Sequence, residues 1–202
     1  MNSEEKFKII KANETNIDVR TEMGVIFAEG FSQWLGFFSK DKNTIARAFA
    51  HMFVLDQYYV AISRDKVAGM AACTNGENLA IKLNKKELRK HLGLYKGTLA
   101  GIFLKKEFEA PYLNFPPNTG SIEFVGTANE FRGQGVASQI IEHIIEHTPF
   151  DNYLIEEVAD TNIPAMKLYE KLGFKEYKRK QMPKSVAKKN GINYLLSLKY
   201  EK

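Results

Sequence analysis

Cysteine is nearly missing from this chain: Cys73 stands alone in 202 residues. An internal disulfide is therefore excluded, and a reducing, cytoplasmic compartment is the expectation. Long apolar runs are missing too. Nothing approaches the roughly 18 uninterrupted apolar residues of a membrane span. The charged start, Met1 to Lys11, has no apolar stretch behind it, so no signal peptide is expected. The 4 histidines show no metal spacing such as His-Glu-x-x-His, and no metal is expected. No repeat, low-complexity tract or Gly/Ser/Pro-rich linker divides residues 1–202, which read as a single domain.

What is present is ordinary for a globular protein: 44% hydrophobic and 26% charged residues, enough for a sizeable core. The net charge of +5 suits either nucleic acid or a small polyphosphate ligand. Because the basic residues are interspersed with acids rather than massed, nucleic acid ranks last.

Residues 18–56 read as two helices, the first carrying Val25, Ile26, Phe27, Phe31, Trp34, Leu35 and Phe38, the second Ile45, Phe49, Met52 and Phe53. Tyr58 to Ser63 and Val67 to Cys73 form two strands around the turn Arg64-Asp65-Lys66. Lys85 to Leu92 and Leu99 to Phe108 are helical candidates separated by Gly93 and Gly97, and Pro111, Pro116 and Pro117 break what precedes them. So long a connection seldom lacks a use, which makes 75–118 an insertion or lid between strands. Ser121 to Thr127 is a strand, and Gly135 to His147 a helix with one buried stripe of Val136, Ile140, Ile141, Ile144 and Ile145. Tyr153 to Ala159 is the next strand, parallel to the first through a βαβ crossover. A short helix runs from Pro164 to Leu172, capped by Thr161 or Asn162 and ended by Gly173. Phe174 to Tyr177 and Tyr194 to Lys199 supply closing strands.

The chemistry concentrates in Phe131-Arg132-Gly133-Gln134-Gly135-Val136-Ala137, where a strand hands over to a helix. Amides opening a helix are unpaired and carry partial positive charge, and small residues let a phosphate approach them. A Walker loop is excluded, since no Gly-Lys-Ser/Thr ends the turn. A dinucleotide fingerprint lacks its third glycine, Ser138 standing there, and Asp160 is a loose match to its acidic residue. The coenzyme A pattern Arg/Gln-x-x-Gly-x-Gly/Ala is met by Arg132, Gly135 and Ala137. The same glycines also suit a tight turn with no ligand.

From Ile122 to Phe174, through the strand, this turn, the long helix and the run Asn162-Ile163-Pro164-Ala165-Met166-Lys167-Leu168-Tyr169-Glu170-Lys171-Leu172-Gly173-Phe174, the chain resembles the GNAT superfamily of N-acetyltransferases. The resemblance implies an α/β (α+β mixed) fold, a central twisted mixed sheet flanked by helices, whose splayed parallel central strands bind acetyl-CoA. It implies that the amides of Gln134, Gly135, Val136 and Ala137 cradle the pyrophosphate, with Arg132 and Gly133 shaping the turn. Val125 and Thr127 would offer main-chain hydrogen bonds to the pantetheine arm, Gly126 would ease a bulge, and Asn162 would touch the cofactor or simply cap its helix. Where the family often has Val-x-Pro, this chain has Thr127-Ala128-Asn129, a cosmetic difference if backbone atoms do the binding.

By the same resemblance an acetyl group passes to a primary amine of an unnamed small molecule or peptide, by direct attack in a ternary complex. Tyr169 holds the position of the general acid and also contacts the cofactor; a core tyrosine is the plainer reading. Glu123 is the base candidate, placed by strand alternation on the face of Val125 and Thr127; a solvated strand-end charge is the plainer reading. Cys73 reads as packing. His143 and His147 read as solvated, and so does Lys167 to Lys189, with one or two lysines left for the cofactor's 3′-phosphate. Phe31, Trp34, Phe37 and Phe38 are expected, with 75–118, to line the acceptor side. A non-catalytic acyl-CoA sensor on the same fold is the competing class. It would keep the Arg132 to Ala137 turn and tolerate Tyr169→Phe and Glu123→Gln. A homodimer is left open.

Overall fold

The computed structural model describes residues 7–109 and 115–202, leaving aside the side chains of Ser32, Gln33, Val186, Lys189 and Asn190. Pro111, expected to break a helix, lies outside the described residues. The strands are β1 (Lys8–Lys11), β2 (Tyr58–Ser63), β3 (Lys66–Thr74), β4 (Thr119–Thr127), β5 (Asn152–Ala159), β6 (Lys175–Gln181) and β7 (Tyr194–Glu201). They form one 7-stranded sheet in the order β1-β2-β3-β4-β5-β7-β6. Every neighbouring pair is antiparallel except β4 with β5, the parallel pair expected from the crossover. The β2–β3 hairpin turns on Arg64 and Asp65, both left-handed at φ 49° and 61°, the twist a tight hairpin requires.

The helices are α1 (Arg20–Leu35), α2 (Lys42–Phe49), α3 (Lys85–Leu92), α4 (Leu94–Phe108), α5 (Val136–His147), α6 (Ile163–Lys171) and α7 (Lys184–Asn190). Their starts are written in side chains. Asp41 accepts the amides of Asn43 and Thr44, both at 3.1 Å, Asn84 accepts that of Lys86, and Asn162 that of Ala165. The helices cover the two faces of the sheet. On one, Met23, Phe27, Phe49 and Phe53 meet Val60, Met70 and Ala72 of β2 and β3. On the other, the predicted stripe of α5 and Tyr169 of α6 meet Ala61, Ala71, Cys73, Ile122 and Tyr153.

Three departures from the sequence reading have physical causes. Strand β1 offers only four residues with a lysine at each end, too little pattern to stand out. Strand β6 runs past the expected Phe174 to Tyr177 as far as Gln181; it lies at the sheet edge with every residue exposed, so no apolar alternation marks its length. Helix α4 begins five residues earlier than expected, at Leu94, and runs through Gly97 instead of starting after it. Gly97 is a contact, not a break: a Cβ built there would sit 2.5 Å from the Arg89 Cα and 2.6 Å from its amide nitrogen, so α3 and α4 touch backbone to backbone.

Gly97→Ala therefore tests packing against propensity. Alanine favours a helix by about 1 kcal/mol over glycine, whereas overpacking against an immovable backbone costs about 1–3 kcal/mol. The expected outcome is a lower urea midpoint. A raised midpoint would show that the two helices are not in contact at this point.

Candidate active site

The site begins where a ladder stops. Strands β4 and β5 pair only through Thr119, Gly120 and Ser121 with Asn152, Tyr153 and Leu154. Past that point each strand carries a bulge against its other neighbour, β4 between the partners of Met70 and Ala72, β5 between Ile155 and Val158. Each bulge holds a non-glycine residue in the left-handed region, Phe124 at φ 50° and Glu157 at φ 56°. Such residues cost about 1–3 kcal/mol each and concentrate at functional sites. Bulges bend their strands, and here the ends of β4 and β5 part with their facing edges unpaired.

The bulge is thus at Phe124, not at Gly126. Gly126 serves a different end: a Cβ there would lie 2.5 Å from Ile26 Cγ2, so its absence admits α1 onto β4. The bulge also resets the alternation, which corrects the placement of Glu123. Glu123 pairs with Ala72, and Phe124 packs with the α1-side core. Val125 belongs to the α5-side core, and Thr127 pairs with Gly69, whose own Cβ would meet Val136 of α5. Glu123 and Phe124 consequently share the α1 face, while Val125 and Thr127 occupy the opposite one.

At the mouth of the split stands the glycine turn. Gly133 and Gly135 are left-handed at φ 72° and 79°, and Gly135 is the N-cap of α5 with no side-chain hydrogen bond capping it. A Cβ at Gly133 would meet nothing within 4 Å, and one at Gly135 only the Gln139 amide nitrogen at 3.6 Å. Both glycines therefore answer to backbone conformation, and their surroundings are open. The Gln134 side chain folds back to donate to the Glu130 carbonyl at 2.9 Å. Arg132 is exposed. Asn129 donates to Glu29 of α1, an anchor the sequence did not disclose because its partners lie 100 positions apart. Asn162 caps α6 from the other strand's end, accepting the Ala165 amide at 3.3 Å.

The two reaction candidates differ in setting. Tyr169 of α6 is buried, packs at 6.1 Å from the Phe174 ring, and burial alone pushes its phenol well above the usual value. Glu123 accepts a hydrogen bond from the Thr74 hydroxyl at 2.8 Å. Burial raises its carboxyl above the usual range, opposed by hydrogen bonds from Thr74 and Ser121. It is not a solvated strand-end charge. Tyr58, fully buried on β2, places its phenol in the field of Glu123 and has no hydrogen-bond partner among the described residues.

The remaining candidates separate cleanly. Cys73 is buried, and burial pushes its thiol up to about 12, which leaves it protonated and inert. His143 is half-buried rather than solvated, its ring 5.7 Å from Tyr59 and 4.0 Å from an exposed His147. Phe31 stacks on Phe27 at 4.7 Å and approaches Phe124 at 5.9 Å, with Phe108 of α4 edge-on to Phe124, also at 5.9 Å. Phe38 is a core residue instead, and Trp34 and Phe37 are 42% and 65% exposed. No group of three metal-ligating side chains occurs among the described residues. No helix there is long and apolar enough to cross a membrane.

Against known proteins, the sequence model of the acetyltransferase (GNAT) family matches residues 27–174. No curated protein sequence matches the chain. Among solved structures, an N-acetyltransferase from Staphylococcus aureus Mu50 is similar at TM-score 0.63 and 16% identity, covering 96% of this chain and 100% of that one. A GCN5-related N-acetyltransferase from Kribbella flavida gives 0.55 and 16%, covering 98% and 99%. The ribosomal-protein-S18-alanine N-acetyltransferase of Escherichia coli gives 0.53 and 13%, covering 96% and 93%. At such identities the likeness concerns the fold.

Burial of Glu123 has a stability consequence with a definite sign. Its folded-state pKa lies above the unfolded value of 4.5, so its contribution is fully present below that value and lost as pH rises through the folded one. Glu123→Gln removes this loss. The melting temperature of the variant, relative to wild type, should rise from pH 4 to pH 7. An unchanged difference would mean that the carboxyl titrates in the folded protein as it does in the unfolded chain.

Proposed function

Because the chain belongs to the acetyltransferase (GNAT) family, we propose that it transfers an acetyl group from acetyl-CoA to a primary amine, by direct attack in a ternary complex. The observation that carries this is the uncapped start of α5, with Gly133 and Gly135 left-handed at the mouth of the β4/β5 split. The cosubstrate supplies a thioester, whose carbonyl carbon is electrophilic and whose sulfur leaves as thiolate.

The residues present fit that group. Gly133 and Gly135 have open surroundings, and the amides of Gln134, Gly135, Val136 and Ala137 open α5, where the positive end of its dipole suits a diphosphate. Arg132 and Gly133 shape the turn. Val125 and Thr127 lie on the stretch of β4 that β5 leaves unpaired, free to pair with an extended arm as another strand would. Asn162, with its oxygen engaged as a cap, retains its amide N–H groups for the ligand.

Glu123 takes the proton that the attacking amine sheds as the C–N bond forms. Its raised pKa makes it a stronger base than a solvated carboxylate. Tyr169 gives a proton to the sulfur as the C–S bond breaks. Burial keeps the phenol neutral, the form that donates, and the same desolvation raises the basicity of a thiolate beside it. The 75–118 segment, as the α3–α4 hairpin, borders the acceptor side, supported by Phe108 against Phe124.

The test is thiol release from acetyl-CoA over a panel of amines. Wild type should release thiol with at least one amine, and Gly135→Trp, which fills the anion cradle, should not. Tyr169→Phe should lower kcat by about 100-fold, the lower range for a general acid. The kcat/KM of wild type should fall with decreasing pH through the raised pKa of Glu123, a limb that Glu123→Gln abolishes. Equal release by wild type and Gly135→Trp would sink the assignment; full activity in Tyr169→Phe and Glu123→Gln would remove those two residues from the chemistry, and acetyl-CoA binding with no thiol release for any amine would favour the sensor.

A further inference from the structure

The register of β4 and β5 brings a second carboxylate to the acceptor side. Ser121 and Leu154 are the last paired residues, and paired residues of parallel strands point to the same face. Ile122 and Ile155, one step on, both enter the α5-side core. Two steps on come Glu123 of β4, still paired with Ala72 ahead of its bulge, and Glu156 of β5, the first residue within its own bulge, which meets Ser197, the chain neighbour of the α5-side Leu198. Both therefore emerge on the α1 face, one on each lip of the split.

Glu156 is half-buried and held in place: Tyr177 donates to Oε1 and Ser197 to Oε2. Glu123 is held by Thr74. Hydroxyls fix these carboxylates without neutralising them. None of the ion pairs among the described residues includes Glu123 or Glu156, and the nearby Lys180 and Lys199 are paired with Glu157 and Glu201. Two hydroxyl-held carboxylates thus stand on one face of the sheet, on the two strands that border the split, and neither joins an ion pair among the described residues.

An independent sign of a ligand comes from Tyr58. It pairs across the sheet with Ala72, which pairs in turn with Glu123, so the three form one row on the α1 face. Its hydroxyl is fully buried, lies within the field of Glu123 and has no partner among the described residues. Buried hydroxyls are nearly always hydrogen-bonded, and a phenol oxygen is able to accept from an ammonium N–H.

We propose that the acceptor side of the split is a two-carboxylate site, Glu123 on β4 with Tyr58 behind it and Glu156 on β5, that selects acceptors carrying two cationic nitrogens, a diamine or longer polyamine. Glu123 receives the nitrogen to be acetylated, and Glu156 holds the second as an ammonium. The aromatic edge formed by Phe31, Phe108 and Phe124 on the same face accommodates the methylene chain between them. This rests on the acetyl-transfer reading above.

The experiment compares hexylamine with hexamethylenediamine, which share their apolar chain and differ by one ammonium. Wild type should use the diamine with a kcat/KM about tenfold or more above that of the monoamine, the effect of one charge-assisted hydrogen bond. Glu156→Gln should bring that ratio close to one. A wild type indifferent to the second ammonium, or a Glu156→Gln ratio equal to that of wild type, overturns the inference. Should the variant fold poorly, added salt serves on wild type alone: KM for the diamine must rise more steeply than for the monoamine, and parallel rises overturn it. Calorimetry of acetyl-CoA on the same wild-type protein keeps the two readings apart. Absent heat there fails the acetyl-transfer reading, whereas normal heat with no diamine preference fails this inference alone.

Discussion

Everything in this fold follows from a parallel ladder that ends after three residue pairs. Main-chain groups that could complete β4 and β5 are withheld from one another, an unfavourable arrangement unless something else takes them up. The two bulges enforce the withholding. Phe124 and Glu157 each sit left-handed with no glycine to ease it, and the packing of Phe124 among Phe27, Phe31 and Phe108 keeps it there. Helix α5 starts after β4 and the glycine turn, with no side chain capping its first amides. The proposed binding slot is an interruption of the sheet rather than a cavity carved into it.

The same interruption sorts the reacting groups. By advancing the alternation one step, the Phe124 bulge sends Val125 and Thr127 toward α5 and leaves Glu123 facing α1. The proposed cofactor contacts and the proposed proton acceptor thereby fall on opposite faces of one strand. Tyr169 of α6 packs on the α5 side. In the proposed displacement a base and an acid act from opposite sides, since the nucleophile enters as the leaving group departs. Burial of Glu123 weakens the fold at neutral pH.

Much of this was legible in the order of residues. The glycine turn, the stripe of Val136, Ile140, Ile141, Ile144 and Ile145, and the cap-to-glycine run from Asn162 to Gly173 each obey a local rule, and each was found where expected. What escaped was non-local. A left-handed Phe124 leaves no trace in sequence, because the strain is imposed by neighbours on β3 and α1; with it went the facing of Glu123. Glu156 carries no signal of its own in the sequence; the pairing of Ser121 with Leu154 sets it level with Glu123. The tie between Asn129 and Glu29 likewise exists only once the chain has folded.

The far edge of the sheet carries a consequence of its own. Strand β6 ends the order with seven exposed residues, Lys-Glu-Tyr-Lys-Arg-Lys-Gln, and no neighbour beyond it. Its outward main-chain groups are a template for an eighth strand from another molecule. A second β6 brought alongside would set lysines and an arginine against their own kind, and like charges facing across strands repel. Electrostatic self-avoidance at this margin lets the sheet stop growing there, so that this edge does not compete with the central split for an incoming extended chain.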